Sequence, residues 1–351
     1  MNLLAGRNPR LVGRATLLAL AFTAIAGFVI LLVGFSPAWD LPWIVKGSGN
    51  SKTVDLFPRP APPTPKIPLC NVDTHRAGVA EFLEAAEAKY AKLRDDKFTI
   101  AIQTYRRPVE LNTTLTTILS SPDVPSLHEV VVVWNNLEET PPANFTSDRG
   151  VPVRYRRSPR NSLNEKLKPD PDFQTQAILL SDDDVFFYPS DLEFVFQSWR
   201  KFGRDRLVGG LPRCAWVDDR GDWRYDMCDK KKDEYAMIIT NLAFAHVKFL
   251  DYYTLAEDEA TKAIRAHVDD HLNCEDIGMN YVASMLTRTG PLLVRGHREY
   301  HNFAPRMSIS GKPGHLVARS KCLNIFAELF GCMPLINETA RVERGVVPRR
   351  V

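Results

Sequence analysis

The sequence predicts an α/β fold with a mostly parallel central sheet, preceded by one transmembrane helix. Three observations carry this. From Lys97 onward, short apolar runs of strand length alternate with longer runs of helix length, the pattern of a parallel sheet with crossover helices. The composition, 44% hydrophobic and 25% charged over 351 residues, is that of an ordinary globular protein with one large domain or two modest ones. The third is a 21-residue uncharged run, Ala15 to Phe35, long enough to cross a bilayer core as a helix.

Taken in order, residues 1–14 form a short tail carrying Arg7, Arg10 and Arg14, and residues 15–35 form the span. The arginines place the tail on the cytoplasmic side and the rest in the lumen or outside the cell. A cleaved signal peptide is the rival reading, but the run is longer than a signal core and no small-x-small site follows it. Residues 36–96 read as a stem: Pro58, Pro60, Pro62, Pro63, Pro65 and Pro68 favour extended chain, and Val79, Phe82, Leu83, Ala86 and Tyr90 then give a helix over roughly His75–Arg94.

The catalytic domain is predicted over 97–340. KFTIAIQT is a strand, RRPVELNTTLTTILSS a helix, LHEVVVVWNN a buried strand, VPVRYRR a short strand and TQAILLSDDD a strand ending in three acids. SDLEFVFQSWRKF is a helix that Ser190 or Asp191 would cap, RLVGG and EYAMIITNLAFAHVKF supply further strands, and NCEDIGMNYVASML is a helix. Residues 341–351 form a basic tail. Asn112, Asn144 and Asn337 stand in glycosylation sequons, usable in a lumenal domain. None of the six cysteines has zinc-finger spacing, so in that compartment disulfides are expected, and Cys214 and Cys228 flank a charged segment that a local bridge would close. A net charge of +3 and the absence of any RNA- or DNA-binding motif argue against nucleic acid as a partner.

In such a sheet, ligands bind beyond the carboxyl ends of the strands. The residues there are Gln103 and Thr104 followed by Arg106 and Arg107, then Asn135 and Asn136, then Asp182, Asp183 and Asp184. An Asp-x-Asp of hard oxygen ligands suits Mn²⁺, with Mg²⁺ as the substitute, and such a cation also binds phosphate. A solvated acidic turn is the bland alternative, but apolar flanks on both sides place these acids at a strand end. Amides can read a nucleobase edge and basic groups can face phosphates. Together they describe a nucleotide-sugar site. Glu275 and Asp276 open an apolar helix, where they either complement the helix dipole or act in catalysis. His267 and His271 are four apart, but the HExxH pattern of a zinc site is absent.

The segments FTIAIQTYRRP, LHEVVVVWNN, NSLNEKL, AILLSDDDVFF, NCEDIGMNYV, SGKPGHLVARSKC and FGCMPL, in this order from Phe98 to Leu335, resemble the glycosyltransferase family 64 domain of the exostosins and exostosin-like proteins, in its single-domain form. The resemblance implies a GT-A nucleotide-diphospho-sugar transferase fold, a UDP-sugar donor, Mn²⁺, retention of anomeric configuration and a glycan or glycolipid acceptor. It also implies a Golgi or ER membrane location with single-pass type II topology, and leaves a homodimer open. It assigns Gln103, Thr104 and Asn135 to uracil and ribose, Asn161 to another nucleotide contact, Asp182 and Asp184 to the metal motif with Asp184 as the direct ligand, and Glu275 and Asp276 to the acids under the donor sugar. Asp276 is the first candidate for the carboxylate at the anomeric carbon. Asp183 is left to ribose or to a structural hydrogen bond. Cys274 and Cys322 match a family disulfide. Lys166 stands where the family has a nucleotide-approaching arginine, and Lys312 is matched to a catalytic-site arginine.

Overall fold

This computed structural model describes residues 63–71, 78–143, 145–228, 233–303 and 311–345. All belong to the second of two units, Ala61–Val351. The predicted membrane span, its basic flank, most of the stem, Asn144 and the end of the basic tail lie outside the described residues. Among those described, no helix is long and apolar enough to cross a membrane.

Helix α1 (Val79–Tyr90) is shorter than the periodicity predicts. It starts after Gly78, whose φ of 83° suits glycine, and by Arg94 the chain is already extended. β1 (Arg94–Thr104) is buried from Phe98 to its end. α2 (Pro108–Ser120) begins on a proline, whose fixed φ and missing N–H fit a first turn. β2 (Leu127–Trp134), β3 (Val153–Arg157), a short 3-10 helix (Leu163–Leu167), β4 (Thr175–Asp182) and β5 (Val185–Phe186) follow. α3 (Pro189–Phe202) departs from expectation: neither Ser190 nor Asp191 caps it. Asp191 lies inside its first turn and accepts the backbone N–H of His297 and Arg298 at 2.9 and 3.0 Å and the guanidinium of Arg344. A distant loop outcompeted the local cap.

β6 (Val208–Gly209) leads to a hairpin, β7 (Pro212–Val217) and β8 (Trp223–Asp226), in the charged segment that had no predicted structure. Then come β9 (Met237–Ile238), β10 (Leu242–His246), α4 (Val247–Leu255), α5 (Glu259–His271), α6 (Glu275–Thr287), β11 (Leu292–Arg295), β12 (His301–Asn302), α7 (His315–Phe330) and β13 (Arg341–Glu343).

Eight strands form the central sheet in the order β13-β11-β6-β10-β4-β1-β2-β3, and only β10 runs against the others. Side chains alternate across it. Phe98, Ile100 and Ile102 of β1 join a core with α2 and α3, while Ala101, Val131, Ile178 and Leu180 face the core beneath α4 to α7. Burial on both faces is why these strands read as continuous apolar runs. The parallel register matters for function: Gln103 lies opposite both Val133 and Asp182, and Thr104 opposite Trp134. The carboxyl ends of β1, β2 and β4 therefore finish level.

Three disulfides fasten this frame. Cys214–Cys228 closes the hairpin, Cys274–Cys322 joins the start of α6 to α7, and Cys70–Cys332 ties the entering chain to the C-terminal segment. Gly278 allows the acid-bearing α6 to lie close to its neighbours, since a Cβ there would stand 2.7 Å from Ile264 and 3.2 Å from the Tyr253 ring.

Candidate active site

The acidic triplet ends β4 and turns into β5, and each acid has a different environment. Asp182 accepts a hydrogen bond from the ammonium of Lys166, which is fully buried on the 3-10 helix. Asp183 accepts from the Thr104 hydroxyl at 2.7 Å and from Arg107 at 3.1 Å, and its carbonyl accepts from Thr114. Asp184 accepts from Arg107 at 2.6 Å. Arg106, just before Arg107, takes a left-handed conformation, φ 56°. Burial pushes the Asp183 carboxyl up to about 7, against the pull of Thr104 and Arg107. Burial, then the charge of Asp182, raises Asp184 as well. Two cations thus face three carboxylates, of which Asp183 is lifted towards neutrality.

The exposure of the three acids tests the fit of a metal. The Asp182 and Asp184 side chains are 36% and 16% exposed, whereas Asp183 is 3% exposed. Two partly exposed carboxylates two residues apart offer hard oxygen ligands that suit a divalent cation. Among the described residues no three His, Cys, Asp or Glu side chains converge as a ready-made cage, so other ligands would be oxygens from water or phosphate. Thr104, expected at the nucleotide, donates to Asp183 and braces the turn, which gives Asp183 the structural hydrogen bond that was its alternative to ribose.

The amides at the neighbouring strand ends divide similarly. Asn135 is buried with both ends engaged: Ser158 donates to its Oδ1 at 2.6 Å, and its Nδ2 donates to the Ser162 carbonyl at 2.9 Å. Gln103 also donates to that carbonyl, at 2.7 Å, but its Oε1 is buried without a partner. Asn136 accepts from the Glu138 N–H and leaves its Nδ2 buried and unpartnered. A buried amide atom with no partner is costly unless a ligand supplies one. Gln103 and Asn136 thus each keep one buried amide atom without a hydrogen-bond partner among the described residues, while both ends of Asn135 are engaged. Asn161 is exposed beside them and accepts weakly from Asn135 at 3.4 Å.

Glu275 and Asp276 form the first turn of α6 and are both buried, so solvated dipole complementation does not describe them. The turn is entered through Cys274 at φ 76°, a left-handed residue held by its disulfide. Asp276 forms a buried ion pair with Arg319 of α7, whose other amino group reaches Asn273 at 3.1 Å and whose plane lies 4.5 Å from the Tyr225 ring. Burial works against the charge on Arg319, but Asp276 outweighs it and holds the guanidinium above its ordinary value. Among the described residues no such cation pairs with Glu275. Burial, then the charge of Asp276, pushes its carboxyl up to about 7. Lys166 links the two acidic groups: burial opposes its charge, but Asp182, then Glu275 and Asp276, raise its pKa.

Arg319 was missed by sequence reasoning. Its only local signal is one arginine in the run HLVARSKC. Lys312, which the motif match put at an arginine position, is exposed in the turn before α7, where its carbonyl accepts from His315. It is Arg319 that reaches Asp276. His267 and His271 stack at 4.1 Å, and His267 faces the sulfur of Cys322 at 3.4 Å. An apolar cavity of about 460 Å³ lies elsewhere, at the far end of α6, lined by Leu69, Trp223, Met285, Met333 and Leu335.

Residues 98–346 match the model of the family described as the Glycosyl transferase family 64 domain. The chain belongs to this family. It is 34% identical over 245 residues to Exostosin-2 of Homo sapiens, covering 68% of this chain and 33% of that protein. It is 29% identical over 254 residues to Exostosin-like 2 of Homo sapiens, covering 68% and 74%. Against Glucosamine inositolphosphorylceramide transferase 1 of Arabidopsis thaliana it is 35% identical over 217 residues, covering 61% and 27%. The match thus spans only a third of the Exostosin-2 relative but most of Exostosin-like 2. The crystal structure of GalNAc-T7 with UDP, GalNAc and Mn²⁺ overlaps 65% of this chain and 53% of that one at a TM-score of 0.38 and 11% identity, too loose a likeness to carry weight.

Proposed function

We propose that this family 64 member is a retaining glycosyltransferase of GT-A type. It moves a sugar, with N-acetylhexosamine as first choice, from a UDP-sugar to a glycan or glycolipid acceptor. The observation that carries this reading is the convergence of three groups: the accessible Asp182 and Asp184, the unpartnered amide atoms of Gln103 and Asn136, and the buried Glu275–Asp276–Arg319 cluster, with Lys166 between the acids. An anchored, lumenal, Golgi-type location belongs to the same reading and rests on the apolar run and its arginines.

In this mechanism Asp184 and Asp182 would hold Mn²⁺ or Mg²⁺. A cation there supplies Lewis-acid charge that favours departure of the diphosphate. Arg107 and Lys166 add positive charge beside the same oxygens. Gln103 and Asn136 offer an acceptor and a donor to the base. Asp276, paired with and oriented by Arg319, stabilises positive charge growing at the anomeric carbon. Glu275, lifted towards neutrality, is suited to hold or pass a proton.

The test is hydrolysis and transfer by the full chain across a panel of UDP- and GDP-sugars, with and without Mn²⁺, with NMR of the product anomer. Metal-dependent turnover of a UDP-sugar with retention is expected. An inverted product refutes the retaining assignment, and absence of turnover with every donor favours a non-catalytic lectin or scaffold. A second reading, transfer of mannose or glucosamine to inositol phosphoceramide, is favoured by the 35% identity to the Arabidopsis transferase. Turnover of GDP-mannose or of a glucosamine donor would select it.

A further inference from the structure

The run HVDDH on α5 is an acidic feature that the proposed chemistry does not use. Asp269 lies in the last turn of α5, where the helix dipole disfavours a carboxylate. It is kept there by three donors, all from one segment. Its Oδ1 accepts from the Ser162 hydroxyl and from Asn164 Nδ2 at 2.8 Å, and its Oδ2 pairs with Arg160 at 2.8 Å. Asn164 is further fixed by the Arg265 carbonyl at 2.9 Å and by the Tyr253 hydroxyl at 2.7 Å. The other side of this segment faces the sheet edge: the Ser162 carbonyl takes both Gln103 Nε2 and Asn135 Nδ2. Ser162 is thus held from two directions, its hydroxyl by α5 and its carbonyl by the ends of β1 and β2.

We infer that Asp269 is the positioning residue for the donor nucleotide. By holding residues 160–164, it sets the distance between that segment and the strand ends and orients the Gln103 amide, so that the unpartnered Oε1 faces the base. The inference rests on the donor reading above. A carboxylate placed only for stability would have no reason to gather three donors from the one segment that supports both strand-end amides. Asp269 itself touches no substrate.

The test is calorimetric titration of the full-length protein with UDP in Mn²⁺, alongside its thermal melting. Asp269→Asn is expected to weaken UDP binding about tenfold, the loss of one hydrogen bond to a charged group. Ser162→Ala should weaken it in the same direction, and adding Ser162→Ala to Asp269→Asn should cost little more, because both act through one link. Unchanged UDP affinity in folded Asp269→Asn, or full additivity of the two substitutions, overturns the inference. If Asp269→Asn does not fold, Ser162→Ala alone decides, and unchanged affinity there overturns it. Failure of the wild-type protein to bind UDP overturns instead the donor reading on which the inference stands.

Discussion

Replacing Arg319 with methionine removes the cation from Asp276 while roughly keeping volume. Both side chains are under one-tenth exposed, so the carboxylate is left without a partner where water cannot replace it. Removing one member of a buried pair costs about 3–5 kcal/mol. Loss of the guanidinium above the Tyr225 ring adds about 1 kcal/mol, and apolar contacts of the methionine return a similar amount. The net expectation is a loss of about 4 kcal/mol at neutral pH. With a urea slope of about 3 kcal/mol/M, the unfolding midpoint falls by about 1.3 M. Asp276→Asn in the same chain should recover at least half of this, because no buried charge is then left exposed to desolvation. The Asp182–Asp184 turn is untouched, so UDP binding with Mn²⁺ should survive while turnover is lost. A loss below about 1 kcal/mol, or an equal loss in the Asp276→Asn background, would refute the buried-pair reasoning.

Other outcomes follow from the same structure. Asp184→Asn should abolish metal-dependent turnover while the protein melts at or above the wild-type temperature, because a carboxylate disfavoured by burial and then by the charge of Asp182 is removed; near-normal turnover would sink the metal assignment. His246 is pushed down to about 3 by burial, then by the charges of Lys248 and Arg204. Its unfolded form binds a proton below about 6.5 and the folded form does not, so its contribution is complete above that pH and is lost as pH falls towards 3. Between pH 7.5 and 5 the wild type should lose about 2 kcal/mol through this residue. In His246→Asn, whose amide can still accept the Lys248 N–H that the imidazole caps at 3.1 Å, that part of the slope should vanish in denaturation curves; an unchanged slope would exclude His246 as its source. Replacing both Cys274 and Cys322 with serine opens a link of 48 residues in sequence separation, a loss of about 4 kcal/mol on chain-entropy grounds. Urea unfolding within 1 kcal/mol of wild type would show that the link contributes little to stability.

The strands and the site residues at their ends were legible because both are local patterns. AILLSDDDVFF shows that the acids close a buried strand, and the alternation of strands with helices implies that other strand ends lie beside it. The sequence by itself therefore determined the centre of the sheet, the family and the set of polar residues at one edge, whereas β11 and β13, the latter within the run read as a basic tail, are too short to stand out as strands until the sheet edge pairs them. The sequence could not determine which of those polar groups are paired with one another. Thr104 binds Asp183, 79 residues away, and Asn135 is occupied by Ser158 and Ser162, although their residue types suit nucleotide contact equally well. Arg319 was hidden for the same reason: its partner Asp276 is 43 residues away on another helix. Asp191 shows the converse, a helix cap by local rules that the fold turned towards the chain at 297–298. Local patterns report which groups a segment carries and on which face they lie. The partner of a buried charge is decided by which elements the packed core brings within hydrogen-bonding reach, and only the tertiary structure contains that distance.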